Sequence, residues 1–220
     1  MDCESLRSRL KQFPNRYMEN FDHVWKWKLQ TDTDVTNVLD EDNIRETYKR
    51  LSNILPKWQT YRNGKNSSPL KTLSESLKNI SLPYNEIRRY SLLEFEEIPE
   101  APLRKIWHEL GRVKEYKGQM NEEGYYYAIA VCKPLLLIWG QTLAFDSKVR
   151  KNMPRKYGIP SYRFKLSYDE WRNAMCAISE DLNDNAACIE MIKEISSSRY
   201  KVTEPVPYGR YLDIYYWTGK

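Results

Sequence analysis

Glycine is scarce in this chain, with 8 residues among 220. Glycine supplies the left-handed backbone of tight hairpins and lets phosphate-binding loops approach a ligand closely, so its scarcity argues against both. Histidine is scarcer still, because only His23 and His108 are present and they lie far apart in the sequence. A histidine-based triad or multi-histidine metal site is therefore not expected, and any chemistry falls to carboxylates, lysines or tyrosines.

Cysteine motifs, long apolar runs and enzyme signature motifs are also missing. The four cysteines show no CxxC pair or histidine-flanked spacing suited to zinc, and no GxSxG, HExxH, Walker or dinucleotide-binding motif is present. No segment approaches about 18 consecutive apolar residues, and the N-terminus has acidic residues where a signal peptide has positive charge. We expect a cytoplasmic, reduced, monomeric protein without membrane contact, metal or cofactor.

Aromatic residues are abundant instead, with 17 Tyr and 7 Trp, and apolar residues recur at helical spacing through most of the chain. This spacing predicts a helix from Ile44 that Pro56 ends, and another that starts near Pro102. Further helices are predicted at 69–80, at 185–195 and after a capping box at Ser167 to Glu170. The segment 125–139 is apolar on nearly every side and predicts a central helix with a kink at Pro134.

The fold class follows from these patterns. Almost no period-two alternation and no internal repeat occur, which predicts an all-α protein, a two-lobed bundle of about eight helices. A buried strand at 135–139 is the competing interpretation, but no alternation of strands and helices follows it. The predicted lobes are residues 1–117 and 118–220, with the boundary in the polar segment 114–121 and a ligand cleft between them.

Positive charge is concentrated in one segment. Lys and Arg total 35 against 30 acids, a net charge of +5, and residues 147–165 alone hold seven cations and no acid. Such a segment favours a polyanionic partner, while an ordinary solvated face is the alternative.

One aspartate, Asp146, stands at the head of this basic segment, after an apolar helix that ends at Trp139-Gly140. The order of apolar helix, aromatic–glycine pair, short loop and Phe145-Asp146-Ser147-Lys148-Val149 resembles the catalytic-aspartate segment of the helix-hairpin-helix DNA glycosylase superfamily, over residues 125–155. The resemblance implies a glycosylase-like helical fold and an enzyme that removes a damaged or modified base flipped out of duplex DNA. Base excision in DNA repair and phage defence against modified foreign DNA both fit this activity.

The resemblance also implies residue roles. Asp146 would be the catalytic carboxylate, which stabilises an oxocarbenium-like sugar and activates water. The pocket for the flipped base would use Tyr125, Tyr126, Tyr127, Trp139, Gln141 and Phe145. The DNA-binding cations would be Lys148, Arg150, Lys151, Arg155, Lys156 and Arg163.

Two positions depart from the superfamily pattern. The Schiff-base lysine of its strand-cutting members would fall near Ile129 or Ala130, so the resemblance implies a monofunctional enzyme that leaves an abasic site. Lys133 comes about one turn later and is interpreted as a snorkelling side chain at the kink. The superfamily hairpin would fall near 120–127, where this chain has one glycine and two acids.

A non-enzymatic interpretation stays open. Asp146 followed by Ser147-Lys148 is also typical of an ordinary helix N-cap, and the tyrosine triplet 125–127 is typical of a core or lobe interface. The chain would then be a helical module that binds nucleic acid or a protein partner. We expect the aromatic C-terminal segment 208–217 to dock on the central helix, with Arg210 and Asp213 paired.

Overall fold

The computed structural model describes residues 2–61, 69–114 and 124–218. These residues are almost entirely helical, which confirms the all-α fold class. The predicted lobe boundary at 117–118 and residues 120–123 of the expected hairpin lie outside the described residues. One hydrophobic core extends from Leu6 to Tyr216 and contains residues of both predicted lobes.

Eleven α-helices lie in the described residues, more than the predicted eight or so. Short helices such as the fifth and eighth carry too few turns to show a periodic pattern. No helix in the described ranges is long and apolar enough to span a membrane. The helices are α1 (Cys3–Gln12), α2 (Asn15–Thr31), α3 (Ile44–Ile54), α4 (Pro69–Asn79), α5 (Ser81–Ile87), α6 (Glu100–Gly111), α7 (Ala128–Trp139), α8 (Ser147–Asn152), α9 (Tyr168–Asn183), α10 (Ala186–Tyr200) and α11 (Tyr208–Trp217).

Local signals located several of these helices correctly. Helix α3 ends two residues before Pro56, and α4 begins at Pro69, where the missing N–H of proline does no harm. The capping box before α9 is confirmed, because the Ser167 hydroxyl accepts from the Glu170 N–H at 3.1 Å. In return, the Glu170 carboxylate accepts from the Ser167 N–H at 2.9 Å.

Helix α7 is the buried centre of the protein, and every residue from Ala130 to Trp139 is buried. The segment is therefore a helix and not the alternative strand. Pro134 has no N–H to offer the carbonyl of Ala130, and the Tyr61 hydroxyl donates to that carbonyl instead at 2.7 Å. This bond satisfies an acceptor that could not find water in the core.

The tyrosine triplet lies outside α7, contrary to the predicted start at residue 125. Tyr126–Tyr127 form a short strand, β1, which pairs antiparallel with β2 (Lys165–Leu166) and sets Tyr127 opposite Lys165. This two-residue pairing ties the start of α7 to the segment that precedes α9.

Helix α11 and the cysteines require two corrections. The Arg210–Asp213 pair is confirmed at 3.0 Å, but α11 packs mainly against α1 and α8 rather than mainly against the central helix. Cys3 and Cys188 form a disulfide between α1 and α10, so the prediction of reduced cysteines is wrong for this pair. The two thiols come close because α1 and α10 pack together, which their separation of 185 residues does not indicate.

Candidate functional site

A cavity of about 310 Å³ opens where α7, the start of α8 and α11 meet the segments that follow α1 and α3. Acids, cations and aromatic rings share its wall, a combination typical of ligand-binding and catalytic sites. The acids are Asp146 and Asp213, the cations are Lys57, Lys133, Lys148, Arg150 and Arg210, and the rings are Phe13, Tyr17, Trp58, Tyr127, Phe164 and Trp217.

Asp146 has two separate contacts, one for each carboxylate oxygen. Its Oδ1 accepts from the N–H groups of Lys148 at 3.0 Å and Val149 at 3.1 Å, which makes it the N-cap of α8. Its Oδ2 lies 3.8 Å from the ammonium nitrogen of Lys133, and 22% of its side chain is exposed. Asp146 is therefore a helix cap and a cavity carboxylate at once.

Lys133 is buried beside this carboxylate, so its interpretation as a snorkelling side chain is wrong. Its Nζ donates to the Trp58 carbonyl at 2.6 Å. Burial lowers the pKa of Lys133, and the nearby carboxylates of Asp146 and Asp213 oppose that shift. A lone charged residue in an otherwise apolar helix was the signal in the sequence, because such a residue must find partners inside the fold.

Asp213 supports the segment that presents Asp146. Its Oδ1 accepts from the Ala144 N–H at 2.8 Å, and its Oδ2 accepts from Arg210 at 3.0 Å. Burial raises the pKa of Asp213 to about 6, and the charge of Asp146 adds to this, while Arg210 and Lys133 oppose it. The carboxylate thus ties α11 to the backbone two residues before Asp146.

Aromatic residues from both ends of the chain form one wall of the cavity. The rings of Phe13 and Trp217 meet edge to face with centroids 5.2 Å apart, and Tyr17 lies 5.9 Å from Trp217. The Lys148 ammonium lies 3.7 Å from the centre of the Trp217 ring, and the guanidinium of Arg210 lies over Phe13. None of these three rings was selected from the sequence, because their meeting depends on the packing of α1 and α2 on α11.

Of the six predicted base-pocket residues, only Tyr127 lines this cavity. Trp139 donates to the Tyr90 carbonyl at 3.2 Å from within the core, and Phe145 is fully buried. Gln141 bridges backbone groups of distant segments and lines a different cavity. Tyr126 is buried beside His108, and Tyr125 lies beneath a guanidinium.

The predicted DNA-binding cations divide into three groups. Lys148 and Arg150 line the cavity, although Arg150 is buried and donates to the Arg163 carbonyl at 2.5 Å. Lys151 and Arg155 are exposed. Acids of α9 neutralise the others, since Lys156 pairs with Asp181 at 2.5 Å and Arg163 pairs with Glu170. The absence of acids within 147–165 therefore overstates the local positive charge.

No protein-family model, curated protein or solved structure matches this chain.

Proposed function

We propose that the protein is a monofunctional DNA glycosylase with a helix-hairpin-helix glycosylase-like fold, in which Asp146 is the catalytic carboxylate. The observation that carries the proposal is the double role of Asp146, which caps α8 through one oxygen and faces a cavity through the other. The cap bonds hold the carboxylate in place, and the second oxygen, which makes no backbone bond and lies 3.8 Å from the Lys133 ammonium, would face a reacting group.

The reaction would break the bond between the sugar C1′ and the base nitrogen, and the electron pair would leave with the base. The ionised carboxylate of Asp146 would stabilise the positive charge that develops on the sugar. A water oxygen would then bond to C1′ and give a proton to Asp146. The product is an abasic site in an uncut strand.

Two neighbours would serve Asp146 without touching the reacting bond. The Lys133 ammonium lies 3.8 Å from Oδ2, and its attraction helps to hold the carboxylate at the cavity wall. Asp213 holds the Ala144 N–H and so positions the turn before Asp146. The ring wall of Phe13, Tyr17 and Trp217 offers a stacking surface for an extruded base.

The test uses oligonucleotides that each carry uracil, an alkylated purine, an oxidised guanine or a modified cytosine, in duplex and single-stranded form. Alkali then reveals abasic sites as strand breaks. We expect product on at least one substrate, and Asp146→Asn should slow its formation by at least about 100-fold. Asparagine caps a helix as well as aspartate does, so this variant keeps α8 intact.

Asp169→Asn is the matched control, because Asp169 is an exposed acid at the start of α9 and is expected to leave the rate unchanged. Absence of product on every substrate, or an equal rate for Asp146→Asn, would contradict the proposal. Strand breaks without alkali would contradict its monofunctional part and would point to the buried amine of Lys133.

The second candidate is a non-enzymatic helical module that binds nucleic acid. The two backbone bonds to Asp146 Oδ1 favour it, because an N-cap aspartate needs no further role. In that case DNA would bind, no abasic site would form, and Asp146→Asn would bind DNA as wild type does.

A further inference from the structure

Two large aromatic side chains are exposed two residues apart in one short segment. Tyr162 is 79% exposed and Phe164 is 60% exposed, and Phe164 also lines the cavity. The other large exposed apolar residues of the described chain, Val35, Leu82 and Val202, lie far from these two in sequence. Single exposed apolar residues are ordinary, but a pair beside a cavity indicates a surface that contacts something.

Two hydrogen bonds anchor the backbone of this segment at the residues next to its exposed rings. The Arg163 carbonyl accepts from the buried guanidinium of Arg150 at 2.5 Å. The Phe164 carbonyl accepts from the Ala128 N–H at 3.1 Å, at the first residue of α7. A ring held in this way loses little conformational freedom when a ligand stacks on it.

Four cations lie against aromatic rings in this part of the protein, and two of these pairs, Arg150–Phe164 and Lys148–Trp217, lie wholly in the cavity wall. In a nucleic-acid site the cations attract phosphates while the ring faces stack on bases. Arg163 also pairs with Glu170, so its charge is already neutralised, whereas the exposed Lys148 pairs with no acid of the described residues. The pairs are Arg150 over Phe164 at 4.8 Å, Arg163 over Tyr125 at 5.2 Å, Lys165 over Tyr127 at 5.3 Å and Lys148 over Trp217 at 3.7 Å.

We propose that this rim, the exposed rings of Tyr162 and Phe164 together with the Lys148–Trp217 pair, binds an unpaired stretch of DNA strand beside the cavity. Paired bases are stacked inside a duplex and offer no face to an exposed ring, whereas unpaired bases stack on aromatic side chains whatever their sequence. The preferred substrate is therefore single-stranded or locally unpaired DNA. This inference rests on the proposed function for its chemical step, but strand binding is measured independently of that step.

The experiment measures the affinity of the full chain for three fluorescent oligomers of equal length, at one fixed salt concentration. They are an unmodified single strand, its fully paired duplex, and a strand of abasic units that has phosphates but no bases. Wild type should bind the single strand at least about tenfold more tightly than either of the others, because only that oligomer offers free bases to the rings.

The double variant Tyr162→Ala, Phe164→Ala should weaken single-strand binding by at least about tenfold and leave the other two affinities within about twofold. Both positions are exposed, so the thermal midpoint should not change. Leu82→Ala is the matched control, because Leu82 is equally exposed at 79% but lies outside the cavity wall.

Duplex binding as tight as single-strand binding, or an equal loss on all three oligomers, would overturn the inference. The first result would indicate a duplex partner, and the second a general loss of charge attraction or of fold. Failure of the proposed function is a different result, since a single-strand preference without any abasic product would leave the rim proposal standing and remove the glycosylase.

Discussion

The ammonium nitrogen of Lys133 lies 3.8 Å from the outer carboxylate oxygen of Asp146, while the other oxygen caps α8. The pair joins the middle of the buried helix α7 to the first turn of a surface helix. Both side chains line the same cavity, and the Lys133 ammonium also donates a hydrogen bond to the Trp58 carbonyl. The position of the Asp146 carboxylate thus depends on a lysine that is buried in the core.

Lys133→Met should slow abasic-site formation by about tenfold, because the Asp146 carboxylate loses the ammonium that lies 3.8 Å from its Oδ2 and helps to position it. The variant also leaves the Trp58 carbonyl without its donor, so urea unfolding is measured beside the rate. The rate is measured at one fixed pH on the best substrate, where Lys57→Met, at an exposed cation of the same cavity, should keep the wild-type value. An unchanged rate in folded Lys133→Met would disprove this positioning role.

Asp213→Asn should remove a pH dependence of stability. Burial raises the pKa of Asp213 from 3.8 to about 6, with Arg210, Lys133 and Asp146 as its charged neighbours. The folded protein therefore holds this proton more tightly than the unfolded chain does. The contribution of this proton to the free energy of unfolding is complete below about pH 4 and is lost as the pH rises through about 6.

Between those limits the free energy of unfolding of wild type, relative to the variant, should fall by up to about 3 kcal/mol. Urea unfolding of both proteins at several pH values measures this difference in the free energy of unfolding. The comparison uses the slope with pH, because the variant also leaves Arg210 without its carboxylate at every pH. Parallel curves for the two proteins would show that Asp213 does not titrate in this range.

Cys3→Ser should lower the free energy of unfolding by about 2–4 kcal/mol under oxidising conditions, because the disulfide restricts the unfolded chain. With a reducing agent, wild type should fall to the level of the variant. Cys176→Ser is the control, since Cys176 is a free thiol and its replacement should not respond to reductant. Four reactive thiols in the unreduced, denatured protein would contradict the disulfide.

Gly209→Ala should destabilise the protein by about 1–3 kcal/mol and reduce abasic-site formation. An added Cβ at Gly209 would lie 2.4 Å from the carbonyl oxygen of Thr142, a backbone atom that cannot rotate away. Helix α11 would then move away from the turn at Ala144, whose N–H donates to Asp213 of this helix. Gly158→Ala meets nothing within 4 Å and only strains a positive φ, so it should cost about 1 kcal/mol and spare the rate. Equal activity losses in the two variants would argue against this role of Gly209.

Helix positions were predictable where the determining contacts are local. The proline at the start of α4, the serine–glutamate box at the start of α9 and the aspartate that caps α8 all act within one turn of their own helix. The site was less predictable. Trp139 and Phe145 follow the pattern of the glycosylase motif, yet both side chains are buried in the core and do not reach the cavity.

Charge patterns showed the same limit. The segment 147–165 has no acid of its own, but α9 brings Asp181 to Lys156 and Glu170 to Arg163. The net charge of a surface depends on which helices pack side by side, and linear composition does not record that. The cations of this segment that α9 leaves unneutralised include Lys148, Lys151 and Arg155.

By itself, the sequence determined that the chain is helical, that α7 is its buried centre and that Asp146 begins a basic helix. These properties follow from residue periodicity and capping, which depend on neighbours a few positions away. Only the tertiary structure decided what Asp146 faces. Lys133 holds a carbonyl 75 residues distant, and the ring wall joins Phe13 to Trp217. Such partners meet because apolar helices must share one core, so the cavity and its charges arise from packing.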